Sequence, residues 1–306
     1  MPLLREISDS APESLLALRG LEETAPILQD AQFYAQPGSA ARIKRARTGT
    51  VVAKVTRSLN EANTATPPTP NYDTPAKSIV SFDASVDVLL EDRNEDIEAE
   101  LAHQTYLEAR EAGWVLQTLF FEGNQAGDAE DFDGFRQIVD VSWILNGGSA
   151  VPVGGDAQKE QQQIALETFK QHARRVRGGV PIAYMNDDLL VRWITVAKNL
   201  GYYRQSKDAL GDEIELIGNI VVKGAGQKQD GSQNLPFTET GNTSSIFFVR
   251  WGVRVDTTCL TSVGVKGRYA GQSGNLITNN VNLDCVLHLQ DLTALVQSQG
   301  WSLSTL

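Results

Sequence analysis

Apolar and polar residues alternate with a period of two from Val80 to Leu90. Val80, Phe82, Ala84, Val86, Val88 and Leu90 fall on one side, and Ser81, Asp83, Ser85, Asp87 and Leu89 on the other. Successive side chains of a strand point to opposite faces, so the run predicts a strand with one buried and one wet face. A β-prone run, Thr50 to Thr56 (TVVAKVT), precedes it, and NEANTATPPTPNYDTPAK lies between, rich in proline with little to bury. Together they read as a long two-stranded excursion over 48–90, its tip too long for a tight turn. An isolated ribbon is marginal in water, so this one is expected to lie on something outside its own domain.

The period then lengthens. Ile97, Leu101, Ala109, Ala112, Leu116 and Leu119 follow in steps that fit one helical stripe, with Thr105 filling the gap. Asn94 is the expected N-cap, Glu95, Asp96 and Glu98 suit the positive end of the dipole, and Gly123 closes the element. A helix over 95–122 is about 42 Å long, well beyond the average globular helix. Ile138, Val139 and Val141 predict a strand after the loop GNQAGDAEDFDG. A second helix is expected over 157–177 from an Asp156 cap, with Ile164, Leu166, Phe169, Ala173 and Val176 inward and Arg174, Arg175 and Arg177 at its negative end. A strand over 180–185 and a helix over 188–200 follow, the latter with Leu190, Trp193, Ala197 and Leu200 on one face. Further strands are expected at 213–223, 245–256, 258–266 and 281–296.

Residues 1–47 do not read as a compact unit. Pro12 to Arg19 can make two helical turns stopped by Gly20, among prolines and small residues. An arm of this kind rarely orders alone, so a neighbouring subunit is expected to hold it. The opening MPLLREISDS mixes charged and apolar residues, so no secretory signal is expected.

Chemistry is sparse across the 306 residues. Three histidines, His103, His172 and His288, come without a local signature for nucleophilic catalysis. Cys259 and Cys285 are too few for a disulfide framework or a zinc site, and are expected to be reduced thiols packed as small hydrophobes. Gly224-Ala225-Gly226 follows an apolar run but leads into a polar loop, so it lacks the helix N-terminus that a phosphate cradle needs. Asp128, Glu130, Asp131 and Asp133 resemble half a calcium loop, yet Ala129 stands where a ligand is required, and a turn is the expected reading. No cofactor, metal or catalytic residue is expected. The net charge of -11 disfavours tight binding to nucleic acid, and no run is long and apolar enough to span a membrane.

Charge is unevenly spread. Arg42, Lys44, Arg45, Arg47, Lys54 and Arg57 form a basic stretch with no acid between 31 and 60. Positions 93–135 hold Glu95, Asp96, Glu98, Glu100, Glu108, Glu111, Glu122, Asp128, Glu130, Asp131 and Asp133 against Arg93 and Arg110. Three readings stand: a positive arm meeting a negative helix and its exit loop between subunits, two solvated faces, or a nucleic-acid contact. Exposed pairs are worth only about 0–1 kcal/mol each.

This order of elements, together with LFFEGNQAGDAEDFDGFRQIV at 119–139 and its FDGF, resembles the major capsid protein of tailed phages with the Hong-Kong-97-type fold, which encapsulins share. The resemblance implies an α+β fold: an N-terminal arm at 1–47, an E-loop at 48–82, a P-domain at 83–150 with spine helix 95–122, an A-domain at 151–257, and a return to the P-domain at 258–306. It implies a structural, non-enzymatic subunit that assembles with itself as hexamers and pentamers into an icosahedral head around double-stranded DNA. Scaffolding and portal proteins, and a decoration protein, are the implied partners. DNA would be touched weakly and without specificity, no membrane is involved, and the virion, assembled in host cytoplasm, is the implied location. Some relatives crosslink an E-loop lysine to a neighbour's asparagine. Lys54 and Lys77, with Asn275, Asn279, Asn280 and Asn282, are the residues available here, and no crosslink is expected. The second reading is an encapsulin shell that loads cargo enzymes, for which 13–19 would be the cargo-binding helix. The third is an α/β enzyme, against which the poor histidine inventory weighs.

Overall fold

The computed structural model describes residues 3–8, 10–36, 43–44, 72–73, 77–87, 96–152, 158–207, 213–239, 241–253 and 256–303. Its N-terminal part holds α1 (Leu4–Ile7), α2 (Pro12–Thr24), α3 (Ile27–Asp30) and β1 (Phe33–Ala35). Two short strands, β2 (Ile43–Lys44) and β3 (Tyr72–Asp73), pair antiparallel. Then come β4 (Ser78–Asp87), the long α4 (Ile97–Glu122) and α5 (Phe135–Ile138). A middle block holds β5 (Ile144–Asn146), β6 (Ala150–Val151), α6 (Lys159–Ala173), β7 (Ile182–Met185), α7 (Asp187–Asn199), β8 (Tyr203–Lys207), β9 (Glu213–Ile217), β10 (Ile220–Gly224) and β11 (Ser244–Val249). The chain closes with β12 (Thr257–Thr261), β13 (Val265–Ser273), β14 (Leu276–Leu289) and β15 (Leu295–Leu303).

Two sheets organise the molecule. In the five-stranded one the order is β1-β12-β14-β13, with β4 also on β14. β14 is long enough to serve two neighbourhoods: its first part lies between β13 and β4, and its last residues pair with β12. The alternation over 80–87 is present as expected, with Ala84 and Val86 buried and Ser81, Asp83, Ser85 and Asp87 exposed. The partner of this strand is β14, from Leu276↔Asp87 to Cys285↔Ser78. The run 50–56, expected to pair with it, lies outside the described residues, as do Val88, Leu89 and Leu90.

The eight-stranded sheet runs β5-β15-β11-β7-β10-β9-β8, with β6 on β15. Every residue of β11 is buried because both faces of the sheet are covered. Phe247 and Val249 join the core built on α2 and α4, while Ile246 and Phe248 join the core under α6 and α7. Sheet membership crosses the boundaries expected at 151 and 258: β5 lies before the first, β15 after the second, and the two pair with each other inside this sheet.

Several expectations need correction. α4 is capped by Asp96, whose carboxylate accepts the N–H groups of Glu98 and Ala99; Asn94 and Glu95 lie outside the described residues, as does Asp156. Ile138 ends a helical turn and Val141 begins a 3-10 turn, so the strand starts only at Ile144. Ile164 is exposed, and Gln162 and Ala165 take its place on the inner face of α6. Gly20 does not stop a helix: α2 continues to Thr24.

The N-terminal stretch departs most from expectation. Leu4, Ala17, Leu21, Ala25, Ile27, Leu28, Ala31 and Phe33 are buried in the core against α4 and the five-stranded sheet. Apolar burial of this kind stabilises by roughly 25 cal/mol per Å², so these side chains tie the N-terminal helices to their own chain. The approach of α2 to α4 depends on two glycines. A Cβ on Gly20 would lie 2.7 Å from both Ala109 Cβ and the Tyr106 carbonyl, and one on Gly113 would fall on the Thr24 hydroxyl.

Candidate functional site

The acids singled out by sequence sit on the exit from α4. The Gly134 N–H donates to the Gly123 carbonyl at 2.9 Å, and a Cβ on Gly134 would collide with the Leu119 carbonyl. Glycine is therefore required where the loop folds back across the helix end. The flanking Phe132 and Phe135 are fully buried in an aromatic cluster with Phe120, Phe121, Tyr184, Phe247 and Trp251, their ring centroids 5.5–6.5 Å apart where they meet. The FDGF sequence is thus a packing device joining the helix end to the eight-stranded sheet.

The carboxylates around it divide. Asp133 accepts the Gln125 N–H at 2.9 Å and holds the loop closed. Asp128 accepts the Glu130 N–H at 3.0 Å and stays exposed with it. Burial, then the nearby Asp128 charge, push the Asp131 carboxyl above the usual range. The structure brings these four onto one loop. Of their expected basic counterparts, Lys44 lies in β2, and Arg42, Arg45, Arg47, Lys54 and Arg57 lie outside the described residues. Nearby cations are already committed within the chain: Arg110 to Glu23 at 3.4 Å, Lys228 to Glu122 at 3.0 Å and Arg136 to Glu239 at 3.0 Å. Glu98 and Glu111 remain exposed on α4, with Glu108 half-buried.

Sequence reading missed a polar knot at the foot of β4. Lys77 is almost wholly buried; its ammonium donates to the Ser262 hydroxyl at 2.9 Å and to the Gln36 carbonyl, and lies 3.4 Å from Asp284. Asp284 also accepts the Ser262 N–H. The knot pins the start of β4 to β14 and to the residue after β12, and it engages Lys77 within its own subunit. Asn279 is buried and Asn280 donates to Asp83, so these asparagines too have internal roles. A second missed network joins α3 to the eight-stranded sheet: Asp30 accepts from Tyr184 at 2.8 Å and Lys223 at 2.6 Å, and Trp251 donates to the Tyr184 hydroxyl at 3.1 Å. Burial, with Asp30 beside it, drives the Tyr184 phenol well above its usual range. Residues separated by up to 207 positions carry no local signal for such contacts.

Catalytic geometry is poor where it was sought. His172 Nδ1 lies 2.7 Å from the Ser298 hydroxyl, but that hydroxyl is fully buried and also takes the Trp301 indole N–H at 2.6 Å. Burial, then Arg175, hold the imidazole below its usual range, which favours the neutral ring. Cys259 and Cys285 are free and buried, and burial pushes the Cys259 thiol far up, leaving it unreactive. Among the described residues no group of three or more His, Cys, Asp or Glu could hold a metal ion, and no helix is long and apolar enough to cross a membrane. Gly226 adopts φ +74 in the Gly-Ala-Gly turn, and the Ala225 carbonyl accepts from Gln117 and Asn234, so the turn braces α4.

No family model and no curated protein matches the sequence. Solved structures do match in fold along nearly the whole chain. The holo-SrpI encapsulin complex from Synechococcus elongatus PCC 7942 superposes with a TM-score of 0.65 at 13% identity, covering 92% of this chain and 90% of that one. The capsid of a native GTA particle superposes at 0.54 and 15% identity, with 91% of each chain covered. A chain of the Mycobacterium phage Bobi structure gives 0.53 at 12% identity, with 92% and 91% covered.

Proposed function

We propose that this chain, which has the α+β Hong-Kong-97-type major capsid fold, is a shell-forming structural subunit and not an enzyme. The observation that carries this reading is that the likeness to shell subunits spans nine-tenths of both chains. A shell subunit needs extended self-complementary surfaces and no cleft chemistry, and repeated contacts close only under a point symmetry. The finer reading is a tailed-phage major capsid protein that builds an icosahedral head of hexamers and pentamers around double-stranded DNA, with scaffolding, portal and decoration partners. The exposed acids of α4 and of the net-negative chain support a lining that DNA can leave, because a dense cation lining would retain it through counterion release. In this reading 48–82 is the E-loop reaching a neighbour, and the basic stretch 42–57 meets the acidic exit loop of that neighbour.

Two observations favour the encapsulin reading. The N-terminal helix α2 is not a free arm but lies against α4, and the encapsulin superposes at 0.65 against 0.54 and 0.53 for the other two shells. The experiment is the same for both. The full chain, expressed and purified, should form closed particles in electron micrographs, and native particles should protect double-stranded DNA from nuclease. Enzyme cargo without DNA would replace the head by the compartment, and a monodisperse monomer would overturn both.

A further inference from the structure

Where the end of α6 meets β8, β9 and β10, the surface opens into a recess of ≈ 500 Å³. Its floor is apolar, with Val176 and Ile217 buried beneath it. Its rim is cationic: Lys170 from the last turn of α6, Arg174 from its C-cap and Arg204 from β8. No carboxylate lines it among the described residues, and none of the three cations there is ion-paired, in a chain whose acids outnumber its bases. The Lys170 ammonium stands 3.4 Å from the centroid of the exposed Tyr202 ring, which fixes it over the opening. Asn219 adds an amide at the edge.

The negative end of the α6 dipole accounts for cations at Lys170 and Arg174. It does not account for Arg204, which comes from an edge strand of the sheet, or for the aromatic wall. Like charges converging without a counter-charge repel one another. Burial, and then Arg174, hold the Lys170 ammonium below the usual lysine range, against the opposite pull of Glu167 one turn back.

We propose that this recess binds a small phosphate-bearing anion, its phosphate held by Lys170, Arg174 and Arg204 and its body against Tyr202 and the apolar floor. Guanidinium forks match phosphate oxygens in a bidentate manner, and two arginines with one lysine lining one recess suit a compact multiple charge better than a single carboxylate. The volume is that of a small-molecule site. A free phosphate compound and a nucleic-acid backbone share this chemistry. The first is favoured because the recess is local and the remaining surface, at net charge -11, repels a polyanion.

The test is independent of shell formation. Inorganic pyrophosphate titrated calorimetrically into the full-length protein, near 0.15 M salt, should bind saturably. Arg204→Gln and Lys170→Gln should each weaken it about tenfold or more, as expected for a lost hydrogen bond between charged groups. Lys170→Arg should restore most of the affinity. Lys198→Gln, which removes a cation standing over Tyr203, should leave it unchanged. Absence of saturable binding, equal weakening by Lys198→Gln, or binding of a single-stranded oligonucleotide but not of pyrophosphate would each overturn the proposal.

Discussion

Replacing Gly113 by alanine tests how α2 is held on α4. In an exposed helix interior this change stabilises by about 1 kcal/mol, because alanine loses less backbone entropy. Here the new methyl falls on the Thr24 hydroxyl and comes within 3.1 Å of the Leu21 carbonyl. That hydroxyl donates to the Arg110 carbonyl at 2.8 Å and to the Gly20 carbonyl at 3.2 Å. Overpacking of a well-packed core costs about 1–3 kcal/mol, and displacing the hydroxyl forfeits a further ~1 kcal/mol of hydrogen bonding. Set against the propensity gain, the net destabilisation is about 1–3 kcal/mol. The pairing with Thr24 can be isolated. Thr24→Ala alone should cost ~1 kcal/mol; the double variant should recover most of the Gly113→Ala loss, because the clashing atom is gone and the remaining contacts, at 3.1 and 3.2 Å, can be accommodated. A double-mutant cycle on urea midpoints of the dissociated subunit therefore expects a favourable coupling of about 1–3 kcal/mol. Stabilisation by Gly113→Ala alone, or strict additivity in the double variant, would refute the close-packed crossing and return Gly20 and Gly113 to incidental positions.

Asp30→Ala should lower the subunit's stability by about 1–3 kcal/mol, because it strands the buried Tyr184 hydroxyl and the Lys223 ammonium, and Asp30→Asn should cost less; thermal melts of both variants check this. His172 has a folded pKa below the ordinary 6.5, so in the window between the two values the unfolded chain binds more protons and stability falls as pH drops through it. The decline in melting temperature between about pH 7 and pH 5 should accordingly be smaller in His172→Asn than in the parent, and equal slopes would remove His172 from the acid response. Reversing Arg42, Lys44, Arg45 and Arg47 to glutamate should reduce the yield of closed particles, and rising salt should weaken parent particles more than the variant. Unchanged yield with the same salt response makes the stretch a solvated face.

What local order decides was readable from residue spacing. The stripe Leu101, Thr105, Ala109, Leu116 needs only the 3.6-residue turn of a helix to fall on one face, and all four are buried. The alternation of β4 likewise needs only the pleat, and the cap of α4 is Asp96, whose carboxylate accepts the Glu98 and Ala99 N–H groups at the start of the helix. The resemblance to shell proteins came from the order of such elements. Their partners are another matter, since period 2 states that a face is buried and not against what. β4 pairs with a strand nearly 200 positions away, and Asp30 meets Lys223 at a separation of 193. Gly20 reads as a helix stop in isolation; only the 2.7 Å approach of Ala109 and the Tyr106 carbonyl makes it a crossing point. The N-terminal stretch looked like an arm because its short apolar runs are too sparse to form a core alone. They become core because α4 and the five-stranded sheet offer the complementary face, and burial is a property of two surfaces, of which a segment's own sequence specifies one.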